Sequence, residues 1–548
     1  MSSVPSNVKE SLPSAGGFTR KASGLVRDFS QLDAFIYNVF AVNIVLSVAL
    51  SYVLVSVTYP QASLWLALVI AGIFCTFEAI VYAFFVTAMP RSGGDYVFQS
   101  RVLGGGVATI FAFTAVTISQ MVWMALAGWL GANLVFSPFF LLLGAEYNVG
   151  WLTSAGSWFP SPLGIFVTAV ACILWAAFVN IKGLRLYALL QRYFFWVGIA
   201  CLSVVIIVLL FSSRADFVSN LNFFMAKDFD VSNAYAKTVA VGGSSDFSFS
   251  FGATVLAAVI ASFALIYPAW GVMQAGEIKR ANSLSGNVRA IVGAEVFSFV
   301  VVAITAALLV SRVGQEFLYA SGNLFYGGGT GPSPLPVPPF FGFFIAFLSV
   351  SPLMTWVAFI LFFCWFVMWF PNITLGGTRV MLAMAFDRVL PEALGKVNKR
   401  THTPINAVVV FSIGCLVASV LYAFVTAFAT LTLGLLVLNI TGFAATMVAA
   451  MIFPYRKKSM YNSTPAAKYH VAGLPLMSIC GAIFLLFVVF VDYQALTADE
   501  LGINGTDGLV FVFGCYALSA IIYVAAKIYR KRKDGVDLGI VYRELPTE

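Results

Sequence analysis

Long apolar runs separated by short polar connections make up most of the chain beyond residue 32. Each run is about twenty residues long, the length that an α-helix needs to cross a bilayer, and none shows the alternation of a membrane β-strand. The pattern predicts twelve spanning helices, numbered 1 to 12, near residues 33–57, 62–88, 105–136, 163–181, 187–211, 251–276, 289–311, 354–378, 405–427, 429–453, 472–491 and 508–529. The shorter apolar stretch 338–350 predicts a re-entrant or surface helix.

Composition supports this pattern, since 60% of the residues are hydrophobic and 10% are charged, against roughly 25% charged in soluble domains. Such a chain cannot cover itself with polar surface in water, so its backbone polar groups must bond internally, as they do in helices. The predicted class is an all-α polytopic membrane protein. All seven cysteines lie in apolar runs, which indicates packing residues rather than disulfides or metal ligands.

Basic residues are concentrated in alternate connections. With the N-terminus in the cytoplasm, only Arg214, Lys227, Lys237 and Arg312 of the 31 lysines and arginines fall in outer loops. Because basic loops resist translocation, this predicts that both termini are cytoplasmic. The membrane is expected to be the plasma membrane. The same orientation explains the net charge of +8 without a nucleic-acid partner. The predicted parts are cytoplasmic tails at 1–28 and 530–548, a core at 29–455 and peripheral helices at 456–529.

The usual signs of an enzyme are missing from the sequence. Its two histidines, His402 and His470, fall in predicted cytoplasmic loops, no span carries paired carboxylates, and no phosphate-binding loop motif occurs. We therefore predict a protein that is not an enzyme and that needs no cofactor beyond Na⁺ or H⁺ as a possible coupling ion.

Several polar segments follow the predicted spans in a recognisable order. They are 90–96 (PRSGGDY), 180–183 (NIKG), 275–279 (AGEIK), 378–379 (TR), 387–391 (DRVLP) and 401–404 (THTP). Together, over about residues 30–480, they resemble the amino acid, polyamine and organocation (APC) superfamily of secondary transporters. The resemblance implies two inverted five-helix repeats, at 29–211 and 251–455, with helices 1 and 6 broken at mid-membrane. A small substrate would be held between the breaks by exposed main-chain groups.

The residues themselves favour a break in helix 6, because Pro268 removes a donor and Gly271 permits unusual dihedral angles. Helix 1 has no glycine, but the side chains of Asn43 and Ser47 can satisfy freed backbone groups. Gln120 and Trp123 in helix 3 are expected to face the pocket or to bond neighbouring helices. The predicted substrate-binding residues are Asn43, Ile44, Val45, Leu46, Ser47, Gln120, Trp123, Ile266, Tyr267, Pro268, Trp270 and Gly271.

Glu78 is the ionisable residue nearest the middle of a span, where a charge costs at least about 2.5 to 3.5 kcal/mol. It predicts a proton carrier or a partner for a cationic substrate; the alternative is a protonated carboxyl bonded to a neighbouring helix. Glu295 is expected to snorkel or to pair with Arg289. Asn372 and Thr374 follow Pro371, which frees a backbone carbonyl, so they are candidates for coordinating a coupling ion.

These observations predict a symporter or exchanger for a small-molecule substrate, an amino acid or related amine, working in the bilayer by alternating access as a monomer or homodimer. Glu277 and Lys279, at the end of helix 6, are expected to make inner-gate or loop contacts. Two alternatives remain open. A nutrient receptor with a carrier fold would usually have a long cytoplasmic extension, and a channel would need a continuous polar lining.

Overall fold

The computed structural model describes residues 24–243, 248–326, 333–349, 351–425, 428, 434–499, 503–535 and 537–542. Several predicted features fall partly outside the described residues: the N-terminal tail at 1–23, the last residue of the stretch 338–350, the end of helix 9 at 426–427, the start of helix 10 at 429–433, residues 500–502 of the peripheral segment, and residues 536 and 543–548 of the C-terminal tail.

Within the described ranges, twelve helices are long and apolar enough to cross a membrane. They are Gln31–Thr58, Leu64–Ala88, Gly105–Glu146, Pro162–Lys182, Leu184–Phe211, Phe251–Glu277, Leu284–Val313, Pro352–Phe386, Ile405–Phe424, Gly434–Arg456, Leu476–Thr497 and Thr506–Asp534. Their number and order match the hydrophobic pattern. The prediction of an all-α polytopic membrane protein is therefore confirmed.

Helices 3 and 8 run further than their apolar patterns indicate. Helix 3 continues to Glu146 because a π-helical segment, Ala132–Phe136, accommodates the following Pro138. Helix 8 continues to Phe386 past the charged Arg379, whose guanidinium is paired with a carboxylate inside the fold. Polar residues thus end the hydropathy run without ending the helix.

Short elements fill the connections. The helices are Gly94–Val102, Gly150–Trp158, Arg214–Phe229, Ala234–Val241, Gln315–Tyr326, Phe341–Ala346, Lys458–Asn462 and Leu538–Val541, with 3₁₀ turns at Glu392–Gly395 and Pro465–Lys468. Strands His470–Val471 and Leu474–Pro475 form an antiparallel hairpin in which His470 pairs with Pro475. The predicted element at 338–350 contains the buried helix Phe341–Ala346, which packs against helix 8.

Local sequence signals set several helix starts. Ser30 and Asp33 form a reciprocal capping box at the start of helix 1, with the Asp33 N–H 3.1 Å from Ser30 Oγ. Ser161 caps helix 4, and the proline that follows it already has the backbone φ of a helix. The same serine–proline arrangement, at Ser351, begins helix 8.

Helices 1 and 6 are each interrupted. Helix 1 consists of 1a, Gln31–Val42, and 1b, Ile44–Thr58. Helix 6 consists of 6a, Phe251–Leu265, and 6b, the 3₁₀ segment Trp270–Glu277. These two helices are the most enclosed of the twelve. In an apolar segment of 18 residues from each helix, 83% of the residues are buried in helix 1 and 89% in helix 6, against 11% in helix 12. The interruptions therefore lie at the centre of the bundle, with helix 12 at its edge.

Candidate functional site

The interruption in helix 1 is held by two polar side chains. Asn43 has a left-handed backbone, with φ of 53°, and its Oδ1 accepts the N–H of Leu46 at 3.3 Å. Ser47 Oγ donates to the carbonyl of Val42 at 2.6 Å. Asparagine tolerates the left-handed region better than most residues, and both side chains bond main-chain groups that the break releases. Helix 1 can therefore turn here without a glycine.

The interruption in helix 6 follows from its proline. Helix 6a ends at Leu265, and Pro268, which has no N–H, lies in the four-residue connection to helix 6b. The chain resumes with the Trp270 N–H bonded to the Tyr267 carbonyl at 3.2 Å. Ser47 Oγ, in the first turn of helix 1b, lies 3.5 Å from the carbonyl of Ala264, in the last turn of helix 6a, so the helix ends beside the two interruptions are in contact.

Asn38 of helix 1a, which sequence reasoning missed, ties the start of helix 6b in place. Its Oδ1 accepts the Gly271 N–H at 2.7 Å, and its Nδ2 donates to the carbonyl of Ala290 in helix 7 at 2.8 Å. A Cβ at position 271 would lie 2.7 Å from that Oδ1, so the close approach requires glycine. Asn38 thereby joins helices 1, 6 and 7.

A small cavity lies beside the two interruptions. It is lined by Ala41, Gln120, Trp123, Tyr267, Trp270, Trp369, Asn372 and Ile373. About 10 Å³ of it is open to the centre of a water molecule, which is room for about one water. No lining residue carries a charged side chain. The site is therefore neutral and aromatic, and its free volume is too small for an amino acid.

The predicted site residues divide into two groups. Gln120, Trp123, Tyr267 and Trp270 line the cavity, as does the predicted ion-coupling residue Asn372. The others, Asn43, Ile44, Val45, Leu46, Ser47, Ile266, Pro268 and Gly271, are buried in the interruptions without lining it. Trp369, which the sequence reasoning did not select, is also in the wall. Its ring packs against Trp123, with ring centroids 5.5 Å apart. Sequence alone does not indicate this contact, because it depends on how helices 3 and 8 pack together.

Hydrogen bonds fix the orientation of the polar atoms in the wall. The Trp123 indole N–H donates to the Tyr267 hydroxyl at 3.1 Å. Gln120 Nε2 donates to Asn439 Oδ1 at 2.9 Å, which extends the network into helix 10. Since a buried polar atom without a partner is costly, these bonds hold the side chains in one arrangement.

Asn372 connects helix 8 to helices 1 and 6. Its carbonyl accepts the Tyr37 hydroxyl at 2.8 Å and the Trp270 indole at 3.2 Å, and its Nδ2 donates to the Tyr37 carbonyl at 2.9 Å. The carbonyl that a helix proline frees here, that of Val367, accepts the Trp175 indole at 2.9 Å. Thr374 is buried two residues further along helix 8. Protein donors thus already bond to the main-chain oxygens around the predicted ion-coupling position.

Glu78 lies on a separate interface, between helices 2 and 7. Its side chain is fully buried, and neither oxygen accepts a hydrogen bond from any described residue. Glu295 is also fully buried, and its two carboxyl oxygens also accept no hydrogen bond from a described residue. The expected pairing of Glu295 with Arg289 is wrong, because Glu295 faces the interior while Arg289 is exposed and bonds the Ser285 carbonyl at 3.1 Å.

In the part of the chain that the structure describes, no cluster of three or more His, Cys, Asp or Glu side chains could hold a metal ion.

Buried charges close the bundle below the cavity, at the predicted cytoplasmic end. Glu277 at the end of helix 6b accepts two bonds from the Arg379 guanidinium, at 2.7 and 2.9 Å, and both side chains are about 1% exposed. The adjoining Lys279 N–H bonds the Phe29 carbonyl at 2.7 Å, and the Phe29 N–H bonds the Glu277 carbonyl at 3.1 Å. The expectation of gate or loop contacts for Glu277 and Lys279 agrees with this geometry. Arg379, the partner, was missed.

Two further ion pairs lie at the same end. Arg101 Nη2 donates to Asp387 Oδ1 at 2.9 Å, and both residues are buried. Arg192 binds the buried carboxylate of Asp33 through two bonds of 2.6 Å. Each pair joins segments that are distant in sequence, so the ion pairs hold several helix ends together.

Asp95 lies in the short helix Gly94–Val102, outside the twelve spans. Its carboxyl is buried and accepts hydrogen bonds from the hydroxyls of Tyr82, at 2.5 Å, and Thr446. Burial raises the pKa of Asp95 to about 6, although the two hydrogen bonds act in the opposite direction. The folded protein therefore keeps this proton at pH values where the unfolded chain has lost it, so this residue's contribution to stability falls as the pH rises from about 4 to about 6.

We expect Asp95→Asn to remove this pH dependence, because the amide oxygen can accept both hydrogen bonds without becoming charged. Relative to the unsubstituted protein, the variant should gain up to about 3 kcal/mol as the pH rises through that range. The measurement is the apparent melting temperature of both proteins in detergent between about pH 4 and 7. A difference between them that does not change with pH would contradict the assignment.

Comparison with known families gives a match over most of the chain. Residues 29–515 match the family described as amino acid permease. The match begins at the cap of helix 1 and ends within helix 12, so it covers both interruptions, the cavity and the buried ion pairs.

Proposed function

Because the chain belongs to the amino acid permease family, a family of transporters, we propose that this multi-pass membrane protein is a secondary active transporter of amino acids or related amines. It works by alternating access in the plasma membrane, as a symporter or exchanger, with both termini in the cytoplasm. The observation that carries the proposal is the contact between the helix ends at the interruptions of helices 1 and 6, beside a small central cavity.

Helix ends at the interruptions suit a zwitterion. Helix 1b begins at Ile44, so its N-terminal N–H groups and dipole favour an anionic group such as a carboxylate. Helix 6a ends at Leu265, so its last carbonyls favour a cationic group such as an ammonium. An amino acid carries both groups on adjacent atoms and needs no charged side chain from the protein.

The cavity wall favours a substrate with a neutral side chain. Three indoles and a phenol line it, and the polar atoms present are amides and hydroxyls. A charged substrate side chain would find no counter-charge among these lining residues, and burying it unpaired would be costly. Apolar and aromatic amino acids, or the amines derived from them, fit this wall best.

The small volume of the cavity implies that the protein must rearrange to bind its substrate. Room for one water cannot accept an amino acid, so the helix 1 and helix 6 segments have to move relative to helices 3 and 8. The buried pair Glu277–Arg379 closes the predicted cytoplasmic path. In the alternating-access cycle that we propose, such an arrangement would be the occluded state, between two open states that the substrate reaches from opposite sides.

Transport assays on purified protein in proteoliposomes test the proposal. A panel of labelled amino acids and amines should include at least one that saturates uptake and is exchanged for the same unlabelled compound loaded inside. Flux that rises linearly with concentration would indicate a channel, and saturable binding without exchange would indicate a receptor. Either result would overturn the carrier function.

Trp123→Phe tests the site itself. It removes the indole donor to Tyr267, so we expect the KM for uptake to rise about fivefold, the equivalent of one hydrogen bond. Trp356→Phe is the matched control, since the Trp356 indole also donates to a tyrosine hydroxyl at 3.1 Å, that of Tyr147, but on the exposed surface. If both variants change the KM equally, the cavity is not the substrate site.

A further inference from the structure

Two acidic side chains lie level with each other where helix 2 packs against helix 7. Two contacts set the register of these antiparallel helices: Gly72 packs directly on the Phe299 ring, and Asn287 Nδ2 donates to Thr87 Oγ1 at 2.9 Å. From the first contact to the second, helix 2 advances from residue 72 to residue 87, while helix 7 runs backward from residue 299 to residue 287. Glu78 therefore lies opposite residues near 294, which places it beside Glu295.

The two carboxyl groups are close enough to affect each other. Glu78 interacts electrostatically with Glu295, and Cys75, one turn earlier on helix 2, interacts with both. Both glutamates are fully buried, and none of their four carboxyl oxygens accepts a hydrogen bond from a described residue. Ser298, one turn beyond Glu295, is also buried and its hydroxyl has no partner in the described chain. Three polar groups thus share one apolar interface without satisfying each other.

Two adjacent carboxylates without counter-charges cannot both be ionised in an apolar interior. At least one proton must therefore stay between them. A coupling ion must be bound in one state and released in another, and a shared proton meets this condition if the interface between helices 2 and 7 changes as the protein opens.

We propose that Glu78 and Glu295 form a proton-binding site that couples transport to a pH gradient. The inference rests on the proposed transport function, because coupling requires a transported substrate. In each cycle one O–H bond forms at this carboxyl pair when a proton arrives from the acidic side, and it breaks when the proton is released to the other side. No other bond changes.

The carboxyl pair acts on the substrate cavity through its electric field. Glu78 interacts electrostatically with Tyr267, whose hydroxyl accepts the Trp123 indole in the cavity wall. A change of charge at Glu78 therefore changes the potential at a residue that lines the substrate site. This interaction through space links proton binding to substrate binding.

A line of protonatable groups leads from the pair toward the predicted cytoplasmic end. Tyr82, one turn after Glu78 on helix 2, interacts with Glu78 and donates to Asp95 at 2.5 Å. Asp95 also interacts with Glu78, and its second oxygen has no partner among the described residues. Glu295, Cys75 and Tyr267 are the other titratable groups, among the described residues, that are shown to interact with Glu78. Tyr82 and Asp95 mark the route by which a proton would leave.

A proton fits this site better than Na⁺. The side chains offer four carboxyl oxygens and the Ser298 hydroxyl, whereas the carbonyls of helix 7 beyond Gly293 lie within a continuous helix and bond its own N–H groups. A metal ion usually needs further main-chain or water oxygens to complete its shell. A proton needs one carboxyl oxygen and a neutral environment.

The test uses proteoliposomes with the external pH one unit below the internal pH. With one proton per substrate, the unsubstituted protein should accumulate labelled substrate up to about tenfold. Glu78→Gln and Glu295→Gln should each lose this accumulation, because glutamine cannot bind and release a proton, while still exchanging labelled for unlabelled substrate. Asp492→Asn is the matched control, since Asp492 is a carboxylate within helix 11 that is bonded to Thr441, and it should leave accumulation unchanged.

Accumulation by both glutamine variants at the unsubstituted level would overturn the site, as would accumulation that a sodium gradient drives and a pH gradient does not. Failure of the proposed function looks different, because the unsubstituted protein would then exchange no substrate. If a variant fails to fold, a measurement on the unsubstituted protein still tests the proposal. Adding substrate to it in weakly buffered detergent solution should change proton binding, as followed with a pH-indicator dye, and no change from about pH 5 to 8 would overturn the proposal.

Discussion

Glu277→Gln should destabilise the protein by about 3 to 5 kcal/mol, because it leaves the Arg379 guanidinium buried without a counter-charge. Both side chains are about 1% exposed, and two hydrogen bonds of 2.7 and 2.9 Å join them. Glutamine retains the shape and one acceptor oxygen but removes the negative charge. The loss should appear as a marked fall in the apparent melting temperature in detergent.

An exposed pair at the same end of the molecule gives the control. Asp28 accepts a bond of 2.8 Å from Arg185, whose side chain is 84% exposed. Asp28→Asn removes the same charge from a pair that water can solvate, so we expect a change of at most about 1 kcal/mol. If Glu277→Gln is no more destabilising than Asp28→Asn, the buried pair does not hold helices 6 and 8 together.

Asn43→Val should reduce the initial rate of transport at least tenfold. This loss should be larger than any fall in the amount of folded protein explains. Residue 43 has φ of 53°, and a side chain other than glycine costs about 1 to 2 kcal/mol in the left-handed region, with β-branched residues the worst suited. Valine also loses the bond to the Leu46 N–H, worth about 1 kcal/mol. The strain is relieved if helices 1a and 1b join into one continuous helix, which would remove the main-chain groups proposed to bind the substrate.

Asn43→Gly separates the backbone from the side chain. Glycine adopts the left-handed conformation without strain, and as a helix cap it is weaker than asparagine by only a few tenths of a kcal/mol. We therefore expect transport by this variant to stay within about twofold of the unsubstituted protein. The measurement for both variants is initial uptake at a subsaturating concentration, corrected for the amount of reconstituted protein. Equal losses in the two variants would show that the interruption in helix 1 is not what matters.

The spans were predictable because bilayer thickness sets the length of an apolar helix, and that length can be counted along the sequence. Their ends were less predictable where buried charges are neutralised by partners far away in sequence. Arg379 looks like the end of helix 8 in the sequence, yet its pairing with Glu277 keeps it inside the fold. A hydropathy count contains no information about such a partner.

The candidate site was predictable where neighbouring residues favour the same local structure. Pro268 removes a backbone donor and Gly271, three residues later, permits unusual dihedral angles, which is why the nearby Tyr267 and Trp270 could be selected from sequence. Asn38 was missed for the opposite reason. A lone asparagine in an apolar helix serves equally well as a local cap, a surface residue or an interhelical contact, and only the approach of Gly271 and helix 7 decides between them.

The buried ion pair between Glu277 and Arg379 has a consequence for how readily the bundle opens. Withdrawing two opposite charges from water costs about as much as their attraction returns, so an intact pair changes the free energy of the closed form little. Its rigid two-bond geometry nevertheless selects one alignment of the helix ends. When the two side chains separate into water, the hydration of each charge replaces the electrostatic attraction between them. A latch of this kind fixes position without strongly favouring the shut form, so the shut and open forms can stay close in energy.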